Sequence, residues 1–143
     1  MMAHDSAMTW LERAMAGTWR VAVVEESMAP AIASGDWLLV DPTARRWPRR
    51  GSIVVFREPD TDLLAIKRVA ARGGDHVRVA EGLLHLAPDE AWLLGDVVDR
   101  SVDSRRYGPV GFDRFVGRAW FRYAPVGRVG VLGAADPGRR RLR

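Results

Sequence analysis

Cysteine is absent from the 143 residues of the chain, and its absence excludes three kinds of chemistry. The protein forms no disulfide, uses no thiol as a nucleophile and binds no metal ion through sulfur. Its three histidines, His4, His76 and His85, lie far apart, and none belongs to a ligand-spaced cluster with carboxylates. A glycine-rich phosphate loop is missing as well. The sequence therefore predicts no metal site and no cofactor.

Lysine is almost absent: of the 22 basic residues only Lys67 is a lysine, and the others are arginines. The net charge of +4 and the pI of about 10.5 suggest a basic protein. However, the arginines of residues 139–143 carry +4 between them, so residues 1–138 sum to zero. The charge therefore predicts a solvated tail and no basic face for nucleic acid.

Long hydrophobic runs are also missing. A membrane-spanning helix needs about 18–20 largely uncharged apolar residues, and the best stretch, Val21 to Val24, is followed at once by two glutamates. Near the start of the chain, Asp5, Glu12 and Arg13 interrupt any apolar core of a secretory signal. These features predict a protein without a transmembrane anchor that is either cytoplasmic or peripherally associated with a membrane.

The first part of the chain has the pattern of an amphipathic helix over residues 5–19. Met8, Leu11, Met15 and Trp19 recur at steps of three or four residues and so share one face. Such a stripe is typical of ordinary packing, and contact with a membrane surface is the alternative.

From Arg20 onward, short apolar runs separated by Gly, Pro and Asp are typical of strands and turns. Strands are predicted near residues 20–25, 36–41, 52–57, 63–72, 76–80, 83–86, 91–94 and 117–123, with long loops at 42–50 and 96–111. The fold class is mainly β, an antiparallel β domain with one N-terminal helix. The predicted parts are the helix at 1–19, a folded domain at 20–125 and a flexible Arg-rich tail at 126–143.

Two residues of this domain could carry chemistry. Ser27 follows an apolar strand and precedes a turn at Pro30, where a side chain can project from the strand end, although most serines there are ordinary turn residues. Lys67 lies in the run 63–71, and strand alternation places it on one face with Ala65 and Val69. A lysine there either extends its amine out to solvent or is held in an apolar environment.

The scarcity of lysine favours a chemical reason for keeping one. Arginine cannot lose its proton in a protein, whereas lysine can. A lysine with the ordinary pKa of about 10.4 is neutral about once in 2,500 at pH 7, and burial lowers the pKa of a lysine by up to about 3–5. A neutral amine on an apolar strand face could accept the proton of a serine hydroxyl and so act as a general base.

With these residues the sequence resembles the signal peptidase I family of serine endopeptidases, which use a Ser/Lys dyad. Four motifs occur in the family's order over about residues 21–123. They are Ser27-Met28-x-Pro30 with Gly35-Asp36; Gly51-x-Ile-Val-Val-Phe56; Lys67-Arg68-Val69 with Gly74-Asp75; and Gly95-Asp96 with Ser101-x-Asp103-Ser104-Arg105 and Gly108. The resemblance implies a signal peptidase I/LexA-like β fold.

The resemblance also implies a role for each matching residue. Ser27 corresponds to the nucleophile, and its backbone N–H to one donor of the oxyanion hole. Lys67 corresponds to the general base, and Ser101 to a serine whose hydroxyl orients the lysine amine. Asp103 and Arg105 correspond to a supporting ion pair beside the site.

Three positions depart from the family's pattern. Glu25 stands where relatives commonly have Ser or Gly, and a Ser there can supply a second oxyanion donor. An ionised Glu25 pointing inward would repel the oxyanion, so we expect it to turn away or to be protonated. Ser52 replaces a frequent Asp, and Val97 replaces the usual Asn.

The sequence thus predicts an endopeptidase whose partner is a precursor protein with an N-terminal leader or signal peptide. The absence of the family's membrane anchor favours its short soluble branch, such as the maturation protease for nickel-type superoxide dismutase, whereas the 96–108 box looks closer to ordinary signal peptidases, so both branches stay open. Two alternatives stay open: a self-cleaving repressor-type regulator, cut at Ala16–Gly17, and a degenerate β domain that binds peptides without cutting them.

Overall fold

Strands are the main regular structure in the part of the chain that the structure, a computed structural model, describes, which is residues 19–133. The strands are β1 (Trp19–Ala22), β2 (Trp37–Asp41), β3 (Ile53–Arg57), β4 (Leu64–Arg72), β5 (His76–Val79), β6 (Gly82–His85), β7 (Glu90–Leu94), β8 (Val110–Gly111), β9 (Phe115–Ala124) and β10 (Gly130–Val131). One α-helical turn, α1 (Ser104–Tyr107), and short 3₁₀ turns at Val98–Arg100, Phe112–Arg114 and Val126–Arg128 connect them.

One antiparallel sheet contains all strands except β5 and β6, which form a separate hairpin. Its order is β1-β2-β9-β3-β4-β7-β8, and β10 also pairs with β9. The register shifts in the β2–β9, β3–β9 and β4–β7 pairs. Such irregularities bend a strand and increase its local twist, which lets the sheet curl around its own core.

Both faces of the central strands are buried, as expected of a sheet that curls on itself. β3 alternates between two clusters: Ile53 and Val55 pack with Leu38 of β2, whereas Val54 and Phe56 belong to the second cluster. In β4 the run from Ala65 to Val69 is buried without interruption. A charged side chain on β4 is therefore buried on either face and needs a partner there.

The prediction of a mainly antiparallel β domain is confirmed, and every predicted strand is present within a few residues. Most of the predicted N-terminal helix lies outside the described residues. Trp19, its last predicted residue, is instead the first residue of β1, where it pairs with Val40.

Two segments that were predicted to be irregular contain regular secondary structure. The loop 96–111 contains α1, which Asp103 caps through the Arg105 N–H, and the two residues of β8. The predicted tail begins too early, because β10 pairs with Phe121 and Arg122 of β9. A two-residue strand is too short to produce a periodic sequence pattern, which is why neither β8 nor β10 was predicted. The rest of the tail, 134–143, lies outside the described residues.

Candidate active site

Ser27 lies in the turn region between β1 and β2. This region is closed by two backbone bonds, from Val23 N to Asp36 O and from Gly35 N to Val23 O, each 2.9 Å long. The buried Asp36 carboxylate accepts further bonds from Ala33 N at 2.9 Å and from Arg128 Nη2 at 3.1 Å. The turn that follows the serine is thus anchored from within and from the far end of the domain.

The main chain of Ser27 also contacts the segment after β7. Its carbonyl accepts a bond from Val97 N at 2.8 Å. Gly95 lies against the same carbonyl: a Cβ at position 95 would meet the Ser101 side chain and would lie 3.0 Å from Ser27 O. Only glycine permits this close approach. Two motifs that are about 70 residues apart in the sequence therefore meet at Ser27.

Lys67 lies in the middle of β4, opposite Val54 of β3, and is only 2% exposed. The next residue, Arg68, is buried as well, although its side chain belongs to the other face of the strand. Arg68 is held by Asp96, with Nε–Oδ1 of 3.0 Å and Nη2–Oδ2 of 2.7 Å, and by Gly51 O at 2.9 Å from Nη1. The two neighbouring cations thus have separate partners on opposite faces.

The side chains of Ser27 and Lys67 meet. Lys67 Nζ lies 2.8 Å from Ser27 Oγ in a buried contact. Both groups also contact Glu25, whose Oε1 lies 2.7 Å from Ser27 Oγ and 3.1 Å from Lys67 Nζ. Serine hydroxyl, ammonium and carboxylate therefore form a closed triangle in which Lys67 donates to both oxygens and Ser27 donates to the carboxylate.

Glu25 was expected either to turn away from the site or to be protonated, and in the structure it does not turn away but contacts both members of the pair. Its side chain is 40% exposed, whereas that of Lys67 is 3% exposed. The carboxylate consequently bridges the buried contact and the solvent. From the sequence, Glu25 was predicted only to repel an oxyanion. The feature that distinguished this position was a glutamate where relatives commonly have Ser or Gly.

Ser101 has a different partner from the one predicted. Its hydroxyl donates to Asp103 Oδ2 at 2.6 Å. Within residues 19–133, the hydrogen-bond partners of Lys67 Nζ are Glu25 and Ser27, so the predicted bond from Ser101 to the lysine amine is wrong for this arrangement. A serine hydroxyl has one proton to donate, and the Asp103 carboxylate accepts it in a charge-assisted bond.

Asp103 and Arg105 form the predicted ion pair, with Arg105 Nε 2.9 Å from Asp103 Oδ1. The pair is more than a surface contact, because Asp103 is buried and also accepts from Ser101 Oγ, Gly95 N at 3.0 Å and Arg105 N at 3.1 Å. Burial by itself would raise the pKa of Asp103, but the bonds from Arg105, Ser101 and the Gly95 amide outweigh it and lower the pKa below its ordinary value of 3.8.

The lowered pKa of Asp103 predicts how stability depends on pH. Because the folded pKa is lower than the unfolded one, ionised Asp103 stabilises the fold fully above about pH 4, and this contribution is lost as the pH falls below that value and through the lower folded pKa. Asp103→Asn should lower the free energy of unfolding at pH 7 by about 1.5–3 kcal/mol, the usual contribution of hydrogen bonds to a charged group. In urea melts between pH 7 and pH 2.5, the difference from the unmutated protein should shrink below about pH 4.

The control is Asp99→Asn, which changes an exposed carboxylate in the same loop. This variant should match the unmutated protein at every pH. A difference for Asp103→Asn that stayed constant down to pH 2.5 would contradict the role of the ionised carboxylate.

The backbone N–H of Ser27 belongs to a residue that is only 1% exposed. Within the described part of the chain it donates to no group. Free N–H groups next to a nucleophile are the kind of donor that stabilises an oxyanion.

No group of three or more His, Cys, Asp and Glu side chains that could hold a metal ion is found among residues 19–133. His76 and His85 are exposed and share a 3.0 Å contact across the β5–β6 hairpin. Among the same residues, no helix is long and apolar enough to cross a membrane.

Comparison with known proteins identifies the family. The family described as signal peptidase, peptidase S26 matches residues 7–87, more than half of the chain. The chain belongs to this signal peptidase family. The match contains both Ser27 and Lys67, whereas the segment with Ser101 and Asp103 lies beyond its end.

Curated signal peptidase relatives support the assignment over a longer part of the chain. Mitochondrial inner membrane protease subunit 1 of Xenopus tropicalis is 36% identical over 79% of this chain and 73% of its own length. Probable signal peptidase I-2 of Synechocystis is 32% identical over 77% of this chain and 65% of its own length. Thylakoidal processing peptidase 1 of Arabidopsis thaliana is 27% identical over 76% of this chain and 42% of its own length.

Proposed function

We propose that this protein is a serine endopeptidase that removes N-terminal leader or signal peptides from precursor proteins, with Ser27 as nucleophile and Lys67 as general base. The observation that carries the proposal is the buried 2.8 Å contact between Ser27 Oγ and Lys67 Nζ. It lies within the hydrogen-bond reach that a nucleophile and its base require. The names of the signal peptidase relatives support a leader or signal peptide as substrate.

The first half of the reaction forms an ester. In its neutral form, Lys67 takes the proton of the Ser27 hydroxyl while Oγ attacks the carbonyl carbon of the scissile peptide bond. The Ser27 N–H, which has no other acceptor within residues 19–133, donates to the oxyanion. The tetrahedral intermediate then collapses, the C–N bond breaks, and the Lys67 ammonium gives its proton to the departing amine.

The second half releases the leader. Lys67, neutral again, takes a proton from a water molecule that attacks the ester carbonyl. Collapse of the second intermediate returns the proton to Ser27 Oγ and leaves a new carboxylate at the end of the leader. No cofactor is needed, since the serine, the amine and water supply every proton and electron pair of the hydrolysis.

Ser101, Asp103 and Arg105 act on this site indirectly. Asp103 binds the Gly95 amide at 3.0 Å, and Val97, two residues further on, binds the Ser27 carbonyl at 2.8 Å. Ser101 and Arg105 hold the carboxylate in place. We infer that the three are positioning residues that keep the Ser27 main chain in the conformation from which its N–H points at the substrate.

The experiment is cleavage of a panel of synthetic peptides that span leader–mature junctions, in water enriched in ¹⁸O. We expect one cut per cleaved peptide, with two product masses and one ¹⁸O in the new carboxyl group. Ser27→Ala, purified identically, controls for contaminating proteases. Ser34→Ala is the matched active control, because Ser34 is an exposed serine of the same turn region.

Other outcomes would decide for the alternatives. Binding of the peptides without any cleavage would favour a degenerate peptide-binding domain. A full-length protein that loses mass at Ala16–Gly17 on incubation would favour a self-cleaving regulator.

A further inference from the structure

The Glu25 carboxylate uses only one of its two oxygens for hydrogen bonds within the described residues. Both hydrogen bonds, from Ser27 and from Lys67, go to Oε1, and within residues 19–133 Oε2 has no hydrogen-bond partner. With 40% of the side chain exposed, Oε2 can accept a donor that arrives from solvent. Glu25 lies only two residues before the nucleophile, so such a donor would belong to a group close to the scissile bond.

The reaction leaves this carboxylate without a counter-ion. In the structure Glu25 pairs with the Lys67 ammonium at 3.1 Å. The proposed mechanism needs a neutral Lys67, and at that moment the pair carries one uncompensated negative charge. Once Lys67 has taken the serine proton it is positive again, but the oxyanion has formed. At each of these steps, the charges of Glu25, Lys67 and the oxyanion sum to −1.

Among residues 19–133, no second cation forms an ion pair with Glu25. The buried Arg68 is bound to Asp96, and Arg105 is bound to Asp103. The next residue, Glu26, is exposed and adds a further negative charge to the same strand end. A basic side chain of the substrate would compensate this charge.

We propose that Glu25 determines specificity by binding the side chain of an arginine or lysine next to the scissile bond of the precursor. A guanidinium fits both carboxylate oxygens at once, and an ammonium binds one of them. Either draws Glu25 away from Ser27 and Lys67, so that the serine proton can turn to the amine. The inference rests on the proposed function and names its substrate class: precursors with a basic residue beside the cut.

The effect should be large enough to measure. Opposite charges a few ångströms apart at a half-exposed site attract strongly enough for a change in kcat/KM of about 10–100-fold. The attraction should weaken with salt, because the exposed carboxylate is screened by ions.

The test compares arginine with citrulline, its uncharged isostere, at each position flanking the cut of one cleaved peptide. At one position the unmutated protein should prefer arginine by at least about tenfold, and the preference should fall at high salt. In Glu25→Gln the ratio should be close to one, and the citrulline peptide should be cut faster than by the unmutated protein. Glu26→Gln is the matched control, which should keep the preference.

Equal cleavage of both peptides at every position by the unmutated protein would overturn the inference and leave the proposed function intact. So would an arginine preference that Glu25→Gln retains. The salt dependence needs no variant, so a poorly folded Glu25→Gln does not remove the test. If the unmutated protein cuts no peptide at all, the proposed function itself fails and this inference with it.

Discussion

Replacing Lys67 with arginine is expected to lower kcat/KM for leader-peptide cleavage by about 10²–10⁴-fold, the usual contribution of a general base. Arginine keeps the positive charge and can still contact Ser27, but it cannot give up its proton at neutral pH. Ser27→Ala removes the nucleophile and should cost about 10⁶-fold in kcat. Initial rates measured by product mass over a range of peptide concentrations provide both values.

The absence of cysteine makes a sharper version of this experiment possible. Lys67→Cys introduces the only thiol of the chain, so alkylation of the unfolded protein with 2-bromoethylamine modifies that position alone. The product is a lysine analogue with an amine at nearly the same reach. After refolding, activity should return with the amine and stay absent in a sample alkylated with iodoacetamide, which adds an uncharged amide.

Two results would contradict the dyad. An arginine variant that cleaves as fast as the unmutated protein would show that position 67 acts as a charge and not as a base. An iodoacetamide-treated Lys67→Cys protein that regains full activity would show that the amine is not needed. Circular dichroism of each variant separates a loss of chemistry from a loss of fold.

Arg68→Met should destabilise the fold by about 3–5 kcal/mol, the usual cost of removing one partner of a buried ion pair. Arg68 is 2% exposed and donates to both oxygens of Asp96. It also donates to Gly51 O at 2.9 Å, so methionine removes the partner of a buried carbonyl as well. The free energy of unfolding is measured by urea denaturation at pH 7.

The matched control is Arg106→Met. Arg106 and Asp60 approach to 4.0 Å, and their side chains are 73% and 53% exposed. Exposed pairs contribute about 0–1 kcal/mol, so this variant should be nearly as stable as the unmutated protein. Equal effects of the two substitutions would contradict the view that burial makes the Arg68–Asp96 pair costly to break.

The fold followed from sequence patterns because each long strand has a local signal. The runs around residues 53–57 and 64–72 are apolar, rich in Val and Ile, and end at turns, so their positions could be predicted within a residue or two. β10 and β8 have no such signal, since two residues establish no periodicity. The end of the folded domain was therefore placed too early, at Pro125.

The candidate pair was predictable for a different reason. Ser27 and Lys67 were found through composition and family resemblance, and the structure brings their side chains within 2.8 Å. The partner of Ser101 was not predictable, because a hydroxyl chooses among nearby acceptors and the sequence gives no distances. The inward orientation of Glu25 depends on the path of the main chain between β1 and Ser27, which no local pattern specifies.

The bond from Val97 N to Ser27 O has a consequence for how the chain tolerates change. Every amino acid except proline provides a backbone N–H. The contact that links the Ser27 turn to the segment after β7 is thus independent of side-chain identity at position 97. A valine can occupy the place of the family's usual asparagine without loss of this link, so Val97 by itself does not favour the degenerate, non-cleaving alternative.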